Sequence, residues 1–397
     1  MKKLLLISSI ALSINANAQW VETSGPGNSG VVCIAASGTT VFAGAVSVGM
    51  FLTNNNGNTW NIVNSLVPPP TCVAISGSNI FVGTENAGVF LSTDNGSTWT
   101  SVNTGLTDLY VTALAINGSD IFVATGSGVS LSTNNGNSWS ATGLTATEVI
   151  SLAVNATKIF AGTNGGGIFL SSNNGSSWTP INTGLNTFAS TFVNSFAFSG
   201  TKIFAGTEGG VYLSTNNGST WDSVNTGLSS TYIYALAING TQIFAGTAEG
   251  VSLSLNNGNS WIPVDTGITP IQGIESLAII GTNIFAGAQF GYVFTRPLAE
   301  MTGINELSQT NEINIYPNPA TNEFQVTSSK FKVKSVNIYN VMGEEIWSFD
   351  KLRMTENESY TIDVSSYAKG VYFVEVQTDG SAGSPQGSVL RKKLIKE

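Results

Sequence analysis

The chain has 397 residues, of which 44 are glycine, and only 10% are charged. Its formal net charge is −9 and it contains no histidine. Histidine triads, histidine general bases and histidine metal sites are therefore excluded, and the acidic balance argues against nucleic acid or an anionic lipid surface as a partner.

Residues 1–18 read as a secretory signal: Lys2 and Lys3, an apolar run from Leu4 to Leu12, then Ala16-Asn17-Ala18 as a small-residue cleavage site. The run is too short to span a bilayer, and the mature chain is expected to start near Gln19. Beyond it no stretch of helical period appears, so the exported product is expected to be all-β, with more than one domain.

From Gln19 to Leu298 the chain repeats one octet six times, in its fullest form as Ser92-Thr93-Asp94-Asn95-Gly96-Ser97-Thr98-Trp99. The copies end at Trp60, Trp99, Trp139, Trp178, Trp221 and Trp261, with spacings of 39, 40, 39, 43 and 40 residues. A period near forty with turn chemistry and apolar alternation marks a stacked β architecture, most often a propeller. Within each octet the Asp or Asn side chain can bond the amides ahead of it, and Gly takes the positive φ that a tight hairpin needs.

The unit 111–144 shows the strand plan. Val111 to Ile116 alternates, Ile121 to Ala124 is a short apolar run, Val129 to Ser132 leads into the octet, and Trp139 opens a fourth strand. The second strand varies least, as Ile159-Phe160-Ala161-Gly162-Thr163 and its copies from Ile203 and Ile243 show. Such an unbroken run suits a strand buried on both faces. First strands begin near Val31, Thr71, Val111, Val149, Val193, Ile233 and Ile274, which makes seven against six octets. Trp20 stands 40 residues before Trp60 and supplies the missing fourth strand. The expected fold is thus a seven-bladed β-propeller over 19–298, closed by pairing of the N-terminal strand with the last unit. Cys33 and Cys72 occupy one position of adjacent first strands and are expected to be buried thiols rather than a disulfide.

The octet resembles the Asp-box of bacterial sialidase-type (BNR) propellers, in which it forms the turn between the third and fourth strands of a blade. Only Asp94 keeps the aspartate; Asn55, Asn134, Asn173, Asn216 and Asn256 replace it in the other copies. The resemblance implies a structural role for Asp94, Gly96 and the six tryptophans. It also invites sialidase activity, which fails on inventory: those enzymes grip a carboxylate with three arginines, and residues 19–298 contain only Arg296. The repeats are also similar to the propellers of xyloglucan-cleaving hydrolases and of photosystem II assembly factors.

Loops from second to third strand, and from fourth strand to the next first strand, are expected to share the ligand face. The first set carries Glu85, Glu208, Glu249 and Gln289; the second carries Asp108, Tyr110, Glu148, Phe188, Phe192, Tyr232 and Glu275. Asn194, Tyr234 and Glu275 hold equivalent first-strand positions and are expected to form one polar patch. No phosphate loop or cysteine cluster is present, and no cofactor or metal is implied.

After a polar linker at 299–311 the composition changes. Tyr316-Pro317-Asn318-Pro319, Val336-Asn337-Ile338-Tyr339-Asn340, Gly370-Val371-Tyr372-Phe373-Val374-Glu375-Val376 and a basic end at Lys392-Lys393-Leu394-Ile395-Lys396 suggest a small Ig-like β-sandwich over 312–397. In order and spacing these motifs resemble the type A C-terminal sorting domain of the type IX secretion system of Bacteroidetes. That resemblance implies the type IX machinery as a partner and a secreted or cell-surface destination. The sequence as a whole reads as a monomeric binder of a glycan or protein. The alternative is a carboxylate-dependent glycoside hydrolase acting on the same face.

Overall fold

The computed structural model describes residues 19–301 apart from 28, 65–67 and 146, and residues 313–396 apart from 329–332, 341–344, 355–358 and 379–388. The expected signal segment 1–18 and most of the expected linker lie outside the described residues. The chain divides into two units, Met1–Met301 and Thr302–Glu397.

The described part of the first unit holds seven four-stranded antiparallel sheets. The third is typical: Val111–Asn117, Asp120–Thr125, Gly128–Ser132 and Ser140–Thr145 pair in chain order. Asn117-Gly118 turns the first strand into the second, with Gly118 at φ +65°. The seventh sheet takes its outermost strand from the other end of the chain, because Val21–Glu22 pairs with Val293–Pro297. First strands of successive sheets pack side by side, and Ile274–Ile280 packs beside Val31–Ser37, so the series closes on itself. Closure leaves no first strand at an open end.

The burial pattern of the second strands explains their conserved wording within the chain. In Lys158–Thr163, Ile159, Phe160 and Ala161 are all fully buried, because alternate side chains enter the cores on either side of the sheet. Phe160 packs with Ile203 and Trp221 of the next sheet, whereas Ile159 packs with Phe122 of the previous one. The same wedge recurs at every boundary: between the sixth and seventh sheets Phe244 meets Ile284 and Trp20, and between the seventh and first Phe285 meets Val41 and Trp60. A buried aromatic of this size contributes about 1.5–3 kcal/mol before entropy.

The octet turns are held by their own side chains. Ser92 Oγ accepts from the amide of Gly96 at 2.8 Å, and Asp94 Oδ1 accepts from the amide of Thr98 at 2.8 Å. Where asparagine replaces aspartate the amide geometry is kept: Asn134 Oδ1 accepts from the Ser138 amide at 3.0 Å while Asn134 Nδ2 donates to the Ser138 hydroxyl at 2.9 Å. The closing tryptophans reach backwards across the sheet boundary. Trp139 Nε1 donates to the carbonyl of Val102, Trp221 Nε1 to Ile181 and Trp261 Nε1 to Val224. Trp99 differs, bonding Gly96 of its own octet.

Cys33 and Cys72 are free thiols, Cys33 buried and Cys72 half-buried. Burial pushes both up, Cys72 to about 12.

The second unit has a three-stranded sheet, Ile313–Tyr316, Glu323–Ser328 and Ser359–Asp363, and a four-stranded sheet ordered Glu345–Met354, Val333–Tyr339, Gly370–Thr378 and Val389–Lys396. Phe324, Val326 and Ile362 of the first sheet share one core with Val336, Ile338, Val374, Val376 and Leu394 of the second.

Candidate functional site

One residue of every first strand is forced out of the regular ladder. In each of the seven sheets the register between first and second strand shifts across that strand's second residue, as between Ile233 and Ala235 or between Ile274 and Ser276. The bulged residues are Val32, Thr71, Thr112, Ile150, Asn194, Tyr234 and Glu275. A bulge leaves its residue unpaired and re-aims the side chain.

Three of these seven residues tie sheets together. Thr71 Oγ1 donates to the carbonyl of Val111 at 2.6 Å, and Thr112 bonds Val149 in the same way. Asn194 Nδ2 donates to the carbonyl of Ile233 at 2.9 Å. Its amide is therefore engaged in joining two sheets. Where the bulged residue is Ile150 or Glu275, the next residue takes over, with Ser151 donating to Val193 and Ser276 to Val31. Among the described residues no such bond leaves Tyr234, and its ring is turned to other uses.

Tyr234 lies beside Tyr232, with ring centroids 4.8 Å apart. Tyr232 hydroxyl donates to Glu208 Oε1 at 2.8 Å, which links a fourth-to-first loop to the second-to-third loop of the preceding sheet. Burial, that hydrogen bond and the charge of Glu208 push the Tyr232 phenol up to about 12. The Tyr234 phenol is raised by burial and then by Glu275 and Glu208. Burial raises the Glu275 carboxyl, and no side chain donates to it among the described residues. Tyr232, Tyr234, Glu208 and Glu275 thus form one group in which the phenols stay neutral donors. Glu249 stands apart: it is exposed, and its backbone amide bonds Thr247 Oγ1.

Glu275 also lines an open cleft of about 510 Å³, together with Ser29, Ser47, Val46, Gln289 and Phe290. The cleft sits where the seventh sheet meets the first. Its apolar wall was not legible as such, since Phe290 is a single exposed ring in the loop after Gln289. A smaller group stands elsewhere on this side, where Tyr110 is raised by burial and then by Glu148 and Glu85, and Asn164 Nδ2 donates to Glu148.

All these residues lie at the end of the sheets where first strands begin and second strands finish, as the pairing Ile233↔Thr247 shows. No lysine or arginine of the first unit shares that end among the described residues. Lys158 and Lys202 close the hairpins at the opposite end, and Arg296 is buried against the carbonyl of Val264. The same end carries Val46, Leu109, Tyr110, Phe188, Ile271 and Phe290 exposed; Phe188 is 80% exposed and Ile271 63%. Among the described residues no group of three or more carboxylate or thiol side chains is placed to hold a metal.

Residues 314–395 match the family model described as Secretion system C-terminal sorting domain. No curated protein matches the chain. Among solved structures, YCF48 bound to D1 peptide is 15% identical, with a TM-score of 0.59 over 71% of this chain and 98% of that one. PorZ, an essential surface component of the type IX secretion system of Porphyromonas gingivalis, is 14% identical, with a TM-score of 0.58 over 94% of this chain and 60% of that one. The GH74 enzyme of Niastella koreensis is 19% identical, with a TM-score of 0.55 over 71% of this chain and 44% of that one. At these identities the likeness shows a shared β-propeller fold. The sorting domain at 314–395 marks the protein for export by type IX secretion to the cell surface or beyond it.

Proposed function

We propose that the mature chain is a seven-bladed Asp-box propeller that binds a glycan or protein ligand outside the cell, carried there by an Ig-like sorting sandwich. Residues 1–18 are its signal peptide, 19–298 the binding domain, 299–311 a linker and 312–397 the domain handled by the type IX machinery. The seven closed sheets support the blade number, and the octet turns support the Asp-box assignment. The observation that carries the binding reading is the Tyr232–Glu208 bond beside Tyr234 and Glu275. It gathers phenol donors and carboxylate acceptors at one end of the sheets, an arrangement suited to recognition of a ligand.

The fold alone does not choose between binding and turnover, since YCF48 is bound to a peptide while GH74 is an enzyme. The test is direct. The mature chain is applied to glycan and peptide arrays, and hits are assayed for reducing-end release. Binding without release, lost in Tyr234→Ala, is the expected outcome. Release that depends on a carboxylate turns the reading to a glycoside hydrolase.

A further inference from the structure

We infer that the Tyr232–Glu208 end of the propeller receives an extended protein segment that combines lysine or arginine with large apolar side chains. This deepens the proposed function and rests on its reading that this end is the ligand face. Two separate features lead to it.

The first is apolar. Phe188, Ile271 and Phe290 are each more than half exposed, at 80%, 63% and 61%, and Leu109 and Val46 are exposed with them. Large apolar side chains exposed at one end of the sheets, two of which, Val46 and Phe290, line one cleft, mark a contact surface. A sugar stacks on an aromatic face, but it offers Ile271, Leu109 and Val46 little to bury against. Aliphatic and aromatic side chains of a protein segment do.

The second is charge complementarity. Glu275 lines one cleft with Val46 and Phe290, Glu208 bonds Tyr232, Glu85 and Glu148 stand close to Tyr110, and among the described residues of the propeller no cation answers them on this end. An anionic glycan or a lipid phosphate meets only like charge there. A guanidinium or ammonium group gains the carboxylates, and beside Phe290, Tyr110 or Phe188 it also gains the ring face. The open cleft at Glu275 admits such a group next to Phe290 and the Gln289 amide.

Random dodecapeptides displayed on phage are selected against the full mature chain, and enriched peptides are synthesised and titrated by calorimetry. Enrichment of sequences with lysine or arginine beside aromatic or branched aliphatic residues is expected. The Kd of such a peptide should rise at least tenfold in the Glu208→Gln/Glu275→Gln double variant and in Ile271→Ser, and stay constant in Asp222→Asn, whose exposed carboxylate is on an outer strand. Ile271 is largely exposed, so its replacement keeps the fold, and a thermal melt checks each variant. Acidic or neutral consensus peptides, or no enrichment, overturn the inference. Neutral glycans bound instead, with loss in the same variants, overturn it while leaving the ligand face intact. Binding indifferent to all the face variants overturns both.

Discussion

The indole nitrogen of Trp20 donates to the carbonyl oxygen of Val264 at 2.6 Å, joining positions 244 residues apart in the chain. It is the bond that Trp139, Trp221 and Trp261 make to Val102, Ile181 and Val224. Trp20 differs only in coming from the opposite end of the chain, and it fills the wedge between Phe244 and Ile284 at 1% exposure. Replacing a buried ring of this kind by alanine costs about 3–5 kcal/mol. Trp20→Ala is therefore expected to lower the urea midpoint of the mature chain much more than Trp99→Ala, since Trp99 is half-buried and bonds its own octet. Equal losses would show that the N-terminal strand adds no more than an ordinary turn.

Ala156 adopts φ +54° in the hairpin between Val149–Asn155 and Lys158–Thr163, where Gly38, Gly77, Gly118, Gly200, Gly240 and Gly281 serve the other six sheets. A Cβ in left-handed backbone costs about 1–2 kcal/mol, while glycine adds roughly 0.4–1 kcal/mol of unfolded-state entropy. Ala156 is exposed, so its methyl contributes little packing. Ala156→Gly is expected to stabilise the propeller by roughly 0.5–1 kcal/mol. A lower melting temperature in differential scanning calorimetry would contradict this account of the turn.

Much of this arrangement can be read in the sequence because it repeats. The spacing of Trp20 from Trp60 points to the pairing of Val21–Glu22 with Val293–Pro297, and the Ile-Phe-Ala runs point to strands buried on both faces. The site is less legible. Asn194, Tyr234 and Glu275 share a sequence position, yet Asn194 is occupied in binding the Ile233 carbonyl while Tyr234 joins Tyr232 and Glu208. What separates them is which side chain reaches across a sheet boundary. That depends on the bulge and on the neighbouring loop, neither of which alternation or spacing encodes. The Tyr232–Glu208 bond spans 24 residues between loops of different sheets, and no local pattern announces it.

Asp94 alone keeps an acid in the octet, and its carboxyl is held below its usual value by the Thr98 hydroxyl, then the Thr98 amide and Ser92. A carboxyl depressed in the folded state stabilises above its unfolded pKa and loses that contribution as pH falls through the folded value. Asn134 shows that an amide fills the same geometry. Asp94→Asn is expected to melt with the parent protein at pH 7 and above it below pH 4. A variant that melts well below the parent at pH 7 would show that the charge, and not the turn geometry, is what the octet requires.

Glu275 behaves in the opposite sense. Burial raises its carboxyl, so the folded chain favours the protonated form and loses stability as pH rises from the unfolded value through the folded one. Tyr234 stands beside it and offers it no positive charge. Glu275→Gln is expected to raise the melting temperature at pH 7 by on the order of 1 °C, with the gain vanishing near pH 4. A gain that persists unchanged at pH 4 would assign the effect to packing in the cleft instead of to ionisation.

Among the described residues, each unit has hydrophobic clusters of its own. The cluster of the second unit runs from Ala320 to Leu394, and the last propeller cluster ends at Met301. Ending the chain after Met301 therefore removes no side chain from any sheet-to-sheet wedge. It does remove the residues 314–395 that match the sorting family. In a bacterium with a type IX system, the truncated chain is expected to accumulate behind the outer membrane, with the melting temperature of its propeller unchanged, whereas the full chain reaches the surface or the medium. Fractionation and immunoblotting separate these fates. If the truncated chain is still exported, the destination is written in the propeller. If it is degraded and its purified form melts early, the second unit also supports the fold of the first.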